Sequence, residues 1–108
     1  MREIRYVLDE AGNALPERDL LTWATWYEAN NSKRVVARTT ISDDVTVSTV
    51  FLGLDYNFLS VGPPVLWETM IFGGKHNEAQ WRYRSREEAE AGHTLAVKVA
   101  KGEAEYED

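Results

Sequence analysis

The segment VLWETMIF, residues 65–72, constrains the fold more than any other part of the chain, because it is almost wholly apolar with one carboxylate in its middle. Alternate residues of a β-strand share a face. One face of this strand therefore carries Leu66, Glu68, Met70 and Phe72, and the other carries Val65, Trp67, Thr69 and Ile71. A strand that is apolar on both faces is typical of the centre of a sheet. The sequence thus predicts a sheet built around this strand, with Glu68 in an otherwise apolar row.

Four other segments predict the remaining strands. They are residues 2–8, 34–42, 45–55 and 80–84, in which side chains alternate or are rich in β-branched residues. Residues 42–44 form a short turn, so the strands on either side of it are expected to pair as a hairpin. The segment YNFLSVGPP, residues 56–64, must be a loop, because its two prolines cannot lie inside a central strand. Residues 9–16 are likewise predicted to be a turn and a loop.

The first of two predicted helices runs from Pro16 or Asp19 to Asn30, with Asp19 as the candidate N-cap. The residues that share one face at helical spacing are Leu20, Trp23, Ala24 and Tyr27. Trp26 lies off the centre of this stripe and is expected to be partly exposed. The stripe predicts the face through which this helix docks on the sheet.

The second predicted helix runs from Arg86 to about Lys101. It opens with the S-x-x-E capping box, formed by Ser85 and Glu88. Its expected packing face carries Ala89, Gly92, Ala96 and Val99, with polar residues opposite. His93 lies at the boundary of that face.

These elements follow one another in the order β-α-β-β-β-β-α. Successive strands with short links favour an antiparallel sheet, and the fold class predicted is α+β. The architecture is a two-layer sandwich of about four to five mainly antiparallel strands with the helices on one face. The chain of 108 residues has the length of one domain, 1–108, in which residues 102–108 are expected to form an acidic, frayed tail.

Composition excludes several kinds of function. The chain has no cysteine, so disulfides, thiolate metal sites and cysteine nucleophiles are excluded. A net charge of −6 disfavours direct binding to nucleic acid and to anionic membranes. The N-terminus has no apolar signal region, and no apolar run is long enough to span a membrane. No metal or nucleotide cofactor is expected, because ligand clusters and phosphate loops are missing from the sequence.

The candidate binding residues are Trp67, Glu68, Trp81, Arg82, Tyr83 and Arg84. In one interpretation Glu68 faces outward and pairs with Arg82 or Arg84 on the next strand, while the aromatic residues fill the core. In the other, Glu68 is half-buried in a concave site, and the aromatic and arginine residues of the segment QWRYRSR, residues 80–86, form an interface. The sequence leaves both interpretations open.

Three segments carry a resemblance to a known group of proteins. They are VSTVFLGLDYNF (47–58), ETMIFGG (68–74) and RYRSREEAEAGH (82–93), and the helix DLLTWATWYE adds to them. Together they resemble small bacteriophage- and prophage-encoded proteins without an assigned activity, over most of the chain from Asp19 to His93. The resemblance implies a setting in the cytoplasm of a bacterial host cell and supplies no catalytic residue.

Three hypotheses about function follow. The first is a non-enzymatic phage or prophage accessory protein that binds a host or phage macromolecule through one face of the sheet and the loop 56–64. A protein partner is expected, and a counter-defence inhibitor of the anti-CRISPR type, whose acidic surface mimics nucleic acid, belongs to this class. The second is a small-ligand-binding protein or enzyme with a pocket around Glu68, walled by Trp67 and Tyr83. The third is a self-associating accessory protein, a homodimer whose interface is the open face of the sheet.

Overall fold

The structure is a computed structural model, and it describes residues 2–59 and 61–106. Its elements in chain order are β1 (Tyr6–Leu8), β2 (Ala14–Pro16), α1 (Leu20–Ala29), α2 (Asn31–Arg34), β3 (Val35–Ser42), β4 (Val45–Phe51), β5 (Trp67–Phe72), β6 (Gln80–Tyr83) and α3 (Arg86–Ala100). The predicted α+β class is confirmed. Within the described residues, a four-stranded antiparallel sheet packs against α3, with a small hairpin and the helix α1 beside it.

The sheet has the strand order β3-β4-β5-β6, and each strand runs antiparallel to its neighbours. β5 lies between β4 and β6, the inner position that its apolar sequence predicts. The predicted hairpin between β3 and β4 is confirmed, and its turn contains Asp43 and Asp44. The described residues of the loop 56–64 contain no strand, as the two prolines require.

The register of β4 and β5 decides which side chains form the core. The pairs that face α3 are all buried, and they are Val47–Ile71, Thr49–Thr69 and Phe51–Trp67. The opposite face of β5 carries Glu68, Met70 and Phe72, none of which is fully buried. Helix α3 therefore covers one face of the sheet and leaves the other face open, as in two-layer α+β folds.

Helix α3 begins where the capping box predicts. The Ser85 hydroxyl accepts a hydrogen bond from the Glu88 backbone N–H at 3.1 Å, and the Glu88 carboxylate accepts one from the Arg84 backbone N–H at 3.0 Å. The buried residues of the helix are Ala89, His93, Ala96 and Val99. Gly92 lies over the Tyr83 ring so closely that a Cβ atom at position 92 would overlap it.

The N-terminal region differs from the prediction at residues 9–16. This segment is predicted to be a turn and a loop, but β2 pairs with β1 in a hairpin. The Asp9 carboxylate closes the turn, because it accepts hydrogen bonds from the backbone N–H groups of Ala11 and Asn13 at 2.9 and 2.8 Å. Such side-chain contacts fix a turn between strands too short to show a periodic pattern.

Helix α1 begins after its predicted cap but docks less closely than predicted. The Asp19 carboxylate accepts a hydrogen bond from the Thr22 backbone N–H at 2.8 Å. The Trp23 indole N–H is shared between the carbonyl oxygens of Tyr6 and Gly53, each at 3.1 Å. Leu20, predicted to face the sheet, is 56% exposed. No residue of α1 is buried.

Two of the aromatic residues of α1 also reach the rest of the molecule. Trp26 is partly exposed, as predicted. Its ring also contacts the core, because it packs edge-on against Phe51 at a ring distance of 6.1 Å. The Tyr27 ring lies over Gly53, where an added Cβ atom would be 3.0 Å away. The helix is thus held by three aromatic side chains rather than by a continuous apolar face.

The acidic C-terminal segment, predicted to fray, folds back in its described part. The Tyr106 ring lies 5.2 Å from Trp81 and 5.5 Å from His76, in edge-on contacts. The chain turns back where the backbone N–H groups of Glu103 and Ala104 donate hydrogen bonds to the Lys98 carbonyl oxygen. Residues 107 and 108 of the predicted tail lie outside the described residues.

Candidate functional site

The loop 56–64 has a fixed base made by two buried polar side chains. The Asp55 carboxylate accepts hydrogen bonds from the backbone N–H groups of Asn57 and Val65, at 2.8 and 2.9 Å, and so ties the two ends of the loop together. The Asn57 amide donates to the carbonyl oxygens of Val61 and Pro63, at 2.7 and 3.1 Å. An ion pair of 3.1 Å from Arg2 to Asp55 completes this base.

The part of the loop beyond this base is apolar and faces outward. We call Phe58, Leu59 and Val61 the apolar tip. Their side chains are 80%, 85% and 73% exposed. The Phe58 ring lies 5.8 Å from the ring of Tyr56. Three large apolar side chains are thus presented to solvent by a loop whose base is fixed by hydrogen bonds, an arrangement typical of interaction sites rather than of solvated loops.

Two arginines from the end of the sheet lie against this loop. The Arg82 guanidinium stacks on the ring of Tyr56 at 4.6 Å. The Arg84 guanidinium lies against Gly62, where an added Cβ atom would be 2.6 Å from its Nη1 atom. The backbone at position 62 has a φ of +79°, a conformation that also favours glycine. The loop therefore presents an apolar tip beside two guanidinium groups.

The position of Glu68 is explained by its partner across the strands. Glu68 and Arg82 are opposite each other in the β5–β6 register, and the Arg82 Nε donates to the Glu68 carboxylate at 2.9 Å. The predicted outward pairing of Glu68 is therefore confirmed, with Arg82 as the partner. A cross-strand pair of this kind is part exposed, so it fixes register more than it stabilises.

The six candidate binding residues divide between the two faces of the sheet. Glu68 and Arg82 lie on the open face, and Arg84 follows them at the end of β6. The aromatic candidates are on the covered face: Trp67 is 5% exposed and pairs in register with Tyr83, and Trp81 lies against Tyr106. The interpretation in which the aromatic residues fill the core is the one that the structure shows. The aromatic pair Trp81 and Tyr83, which the sheet-face dimer hypothesis places beside Glu68, lies on the covered face instead.

Sequence reasoning did not find a buried polar cluster beneath α3. The His93 ring bridges two strands, since its Nε2 lies 2.8 Å from the Thr39 hydroxyl and its Nδ1 lies 2.7 Å from the Thr49 hydroxyl. The Thr49 hydroxyl also contacts that of Thr69 at 2.5 Å. Burial lowers the pKa of His93, because the apolar surroundings disfavour the charged ring. The neutral imidazole therefore acts as one donor and one acceptor between hydroxyl groups.

Tyr83 continues this cluster towards the end of the sheet. Burial raises the pKa of its hydroxyl, and the neighbouring Thr69 opposes this rise. The hydroxyl nonetheless makes no hydrogen bond of good geometry. The cluster contains neither a carboxylate to orient His93 nor an exposed nucleophile, so it resembles a structural core network rather than a catalytic triad.

One concave feature of the surface lies beside the buried polar cluster. One shallow cavity of about 300 Å³ opens beside His93 and Thr39, and is otherwise lined by Thr94, Val97, Lys98, Lys101 and Glu103. Among residues 2–59 and 61–106, no three histidine or carboxylate side chains lie close enough together to hold a metal ion. In the same ranges no helix is long and apolar enough to cross a bilayer.

No family model, no curated protein and no solved structure matches this chain. A function is therefore inferred from the chain's own surface, on which Phe58, Leu59 and Val61 are among the most exposed large apolar residues described.

Proposed function

We propose that this chain is a non-enzymatic binding protein, and that the apolar tip with Arg82 and Arg84 is the surface that docks on a protein partner. The observation that carries the proposal is the exposure of Phe58, Leu59 and Val61 above a loop base fixed by Asp55 and Asn57. Soluble proteins rarely expose adjoining large apolar side chains unless these are covered by a partner.

The geometry of the loop favours binding energetically. A loop whose base is already held by hydrogen bonds loses less conformational entropy on association, so more of the contact energy appears as affinity. Apolar side chains that enter a partner pocket dominate interface energies, and arginine is enriched around them. The bond to Glu68 holds the Arg82 side chain in place, so less side-chain entropy is lost when Arg82 enters an interface.

The resemblance to phage and prophage proteins supplies the setting of this proposal. The partner is then a host or phage protein met in the bacterial cytoplasm, and inhibition of a host defence complex is one activity of this class. The net charge of −6 supports a protein partner over direct binding to nucleic acid. An anti-CRISPR type of inhibitor would use the acidic surface as well, and the apolar tip would supply the short-range contacts.

A ligand-binding or enzymatic role around Glu68 receives less support. Glu68 lies opposite Arg82 in the β5–β6 register, and its carboxylate accepts a hydrogen bond from the Arg82 Nε at 2.9 Å. Trp67 and Tyr83, which were expected to wall such a pocket, lie on the covered face of the sheet. Glu68 is already paired with Arg82, and the aromatic side chains that would wall a pocket around it lie on the other face of the sheet.

Affinity capture from infected cells tests the proposal with matched variants. The wild type is compared with Leu59→Asp in the apolar tip, and with Leu95→Asp on α3 as a control at another exposed leucine. We expect a partner that the wild type and the control retain and the tip variant loses. For the isolated partner, Phe58→Ala should weaken binding about 10- to 100-fold.

Two outcomes would contradict the proposal. One is a partner retained equally by all three proteins, which would place the interface elsewhere. The other is a partner lost by the Leu95 control and retained by the tip variant, which would place it on α3. Circular dichroism of each variant confirms that the substitutions, all on exposed side chains, leave the fold intact.

A further inference from the structure

The apolar tip has guanidinium groups beside it, although the loop that carries it contains no charged residue. Arg82 lies at the beginning of the loop, where it stacks on the ring of Tyr56 at 4.6 Å. Arg84 lies near the end of the loop, where its guanidinium is placed against Gly62. Both arginines are exposed, so a partner that covers the tip also meets their charge.

The two arginines differ in how far their charge is offset within the molecule. The Arg82 Nε forms an ion pair with the Glu68 carboxylate at 2.9 Å. The Arg84 guanidinium forms no ion pair or hydrogen bond with any residue in the described part of the chain. Glu88 does accept a hydrogen bond from Arg84, at 3.0 Å, but from its backbone N–H. Arg84 therefore presents a positive charge that is not offset, directly beside the loop.

The chemistry of a guanidinium group decides what a partner must offer next to the tip. Its N–H groups form a planar fork that matches the two oxygens of a carboxylate, and such charge-assisted bonds are stronger than neutral ones. Phosphate has a similar geometry, but nucleic acid carries a charge on every nucleotide, and a chain of net charge −6 repels it at long range. A protein can instead present a single carboxylate at the edge of an apolar pocket, with far less repulsion.

We infer that the partner receives the apolar tip in an apolar pocket bordered by an aspartate or glutamate, and that Arg84 pairs with that carboxylate. The inference rests on the docking surface proposed above and names the chemistry of what docks there. An apolar centre with a polar rim is the usual anatomy of a protein interface. Because Arg84 lies at the rim, its pairing sets orientation and specificity, and salt weakens it by screening.

Charge reversal at position 84 tests the inference on the purified protein that the wild type captures and Leu59→Asp does not. Calorimetric titration should show that Arg84→Glu weakens binding about 10-fold or more, since it places two carboxylates together. The ratio between wild type and variant should shrink when NaCl is raised from about 50 to about 500 mM. Arg38→Glu makes the same charge change at an exposed residue on the far edge strand β3, and should bind within about 2-fold of the wild type.

A cross-linking measurement separates pairing with the partner from a role of Arg84 within the fold. Arg84→Lys keeps the charge and supplies a primary amine, which a carbodiimide couples as an amide to a carboxylate in contact with it. Mass spectrometry should find position 84 joined to an aspartate or glutamate of the partner. Arg38→Lys, the matched control, should give no such link. The capping bond to Glu88 uses the backbone N–H of residue 84, so both substitutions at position 84 leave α3 capped.

The outcomes distinguish this inference from the docking surface on which it rests. A wild type that captures no protein, or a partner that Leu59→Asp retains, overturns the docking surface and the inference with it. A partner that depends on Leu59 but binds Arg84→Glu as tightly as the wild type leaves the docking surface standing and overturns the acidic rim. So does a link from position 84 to no carboxylate of the partner. Sedimentation with phosphatidylglycerol vesicles that Arg84→Glu abolishes would assign the site to lipid phosphate and overturn the inference as well.

Discussion

The two long helices of this protein show how differently a helix can be attached to the same sheet. α3 contains five charged residues and buries four side chains against the sheet. α1 contains one charged residue and buries none, although its sequence is the more apolar of the two. Apolar content alone therefore does not decide burial. The amphipathic pattern of α3 specifies one face for packing, whereas α1 offers apolar residues on every side and is held by Trp23, Trp26 and Tyr27.

The largest loss of stability should appear when a tryptophan beneath α3 is truncated, and the same truncation in α1 should cost less. Trp67 lies beneath α3 in the core that contains Phe51 and Ala89. Trp67→Ala should lower the free energy of unfolding by about 3–5 kcal/mol, because it opens a cavity where the surroundings are closely packed. Urea denaturation monitored by circular dichroism measures this loss. A loss under about 1.5 kcal/mol would show that the region under α3 is not the principal core.

Truncation on the α1 side should cost less. Trp23 is half-buried, and its ring stacks on Tyr27 at 4.9 Å while its indole N–H serves two carbonyl oxygens. Trp23→Ala should lower the free energy of unfolding by about 2 kcal/mol, below the range for fully buried tryptophan. The same denaturation assay applies. A loss equal to that of Trp67→Ala would remove the contrast between the helices, and a loss below about 1 kcal/mol would show that α1 is barely docked.

A substitution that normally strengthens a helix should weaken α3. Gly→Ala in a helix interior usually gains up to about 1 kcal/mol. At Gly92 the new methyl group would overlap the Tyr83 ring, so Gly92→Ala should instead destabilise by about 1–2 kcal/mol. In a Tyr83→Ala background the same substitution should be neutral or stabilising. If Gly92→Ala stabilises the wild type, α3 does not pack on β6 as closely as the structure has it.

These comparisons also show which parts of the fold a sequence can reveal. The capping box of Ser85 and Glu88 and the pairing of Glu68 with Arg82 depend on short-range spacing and on strand periodicity. Both could be predicted because local rules determine them. The β1–β2 hairpin was missed because its strands are three residues each, and the bonds that close its turn come from one aspartate side chain.

The parts of the site that could not be predicted depend on contacts between distant residues. His93 meets Thr39 and Thr49, which are 54 and 44 positions away along the chain, so no local pattern marks the cluster. The loop 56–64 was predicted from its prolines, but the exposure of Phe58 follows from the bonds of Asp55 and Asn57 within the folded loop. Strand periodicity predicts that Trp81 and Tyr83 share one face of β6. It does not predict which face of the sheet α3 covers.

The smallest predicted effect is a pH dependence that arises under α3. Burial holds the pKa of His93 below its ordinary value near 6.5. Between the folded and unfolded pKa values, the unfolded chain therefore binds more protons than the folded one. Stability should be independent of this group well above pH 6.5, and should fall as the pH drops from about 6.5 through the folded pKa. Thermal melts between about pH 5 and pH 8 measure the slope.

Two variants separate this effect from general acid denaturation. His93→Gln keeps an amide that can bond the Thr39 and Thr49 hydroxyls but cannot titrate, so its stability should vary less between about pH 5 and pH 6.5 than that of the wild type. Asp19→Asn, at the cap of α1, should keep the wild-type slope in that range, because the hydrogen bonds from Thr22 lower the pKa of Asp19 and its titration lies at more acidic pH. A slope that persists in His93→Gln would mean that the cluster under α3 is not the origin of the acid sensitivity.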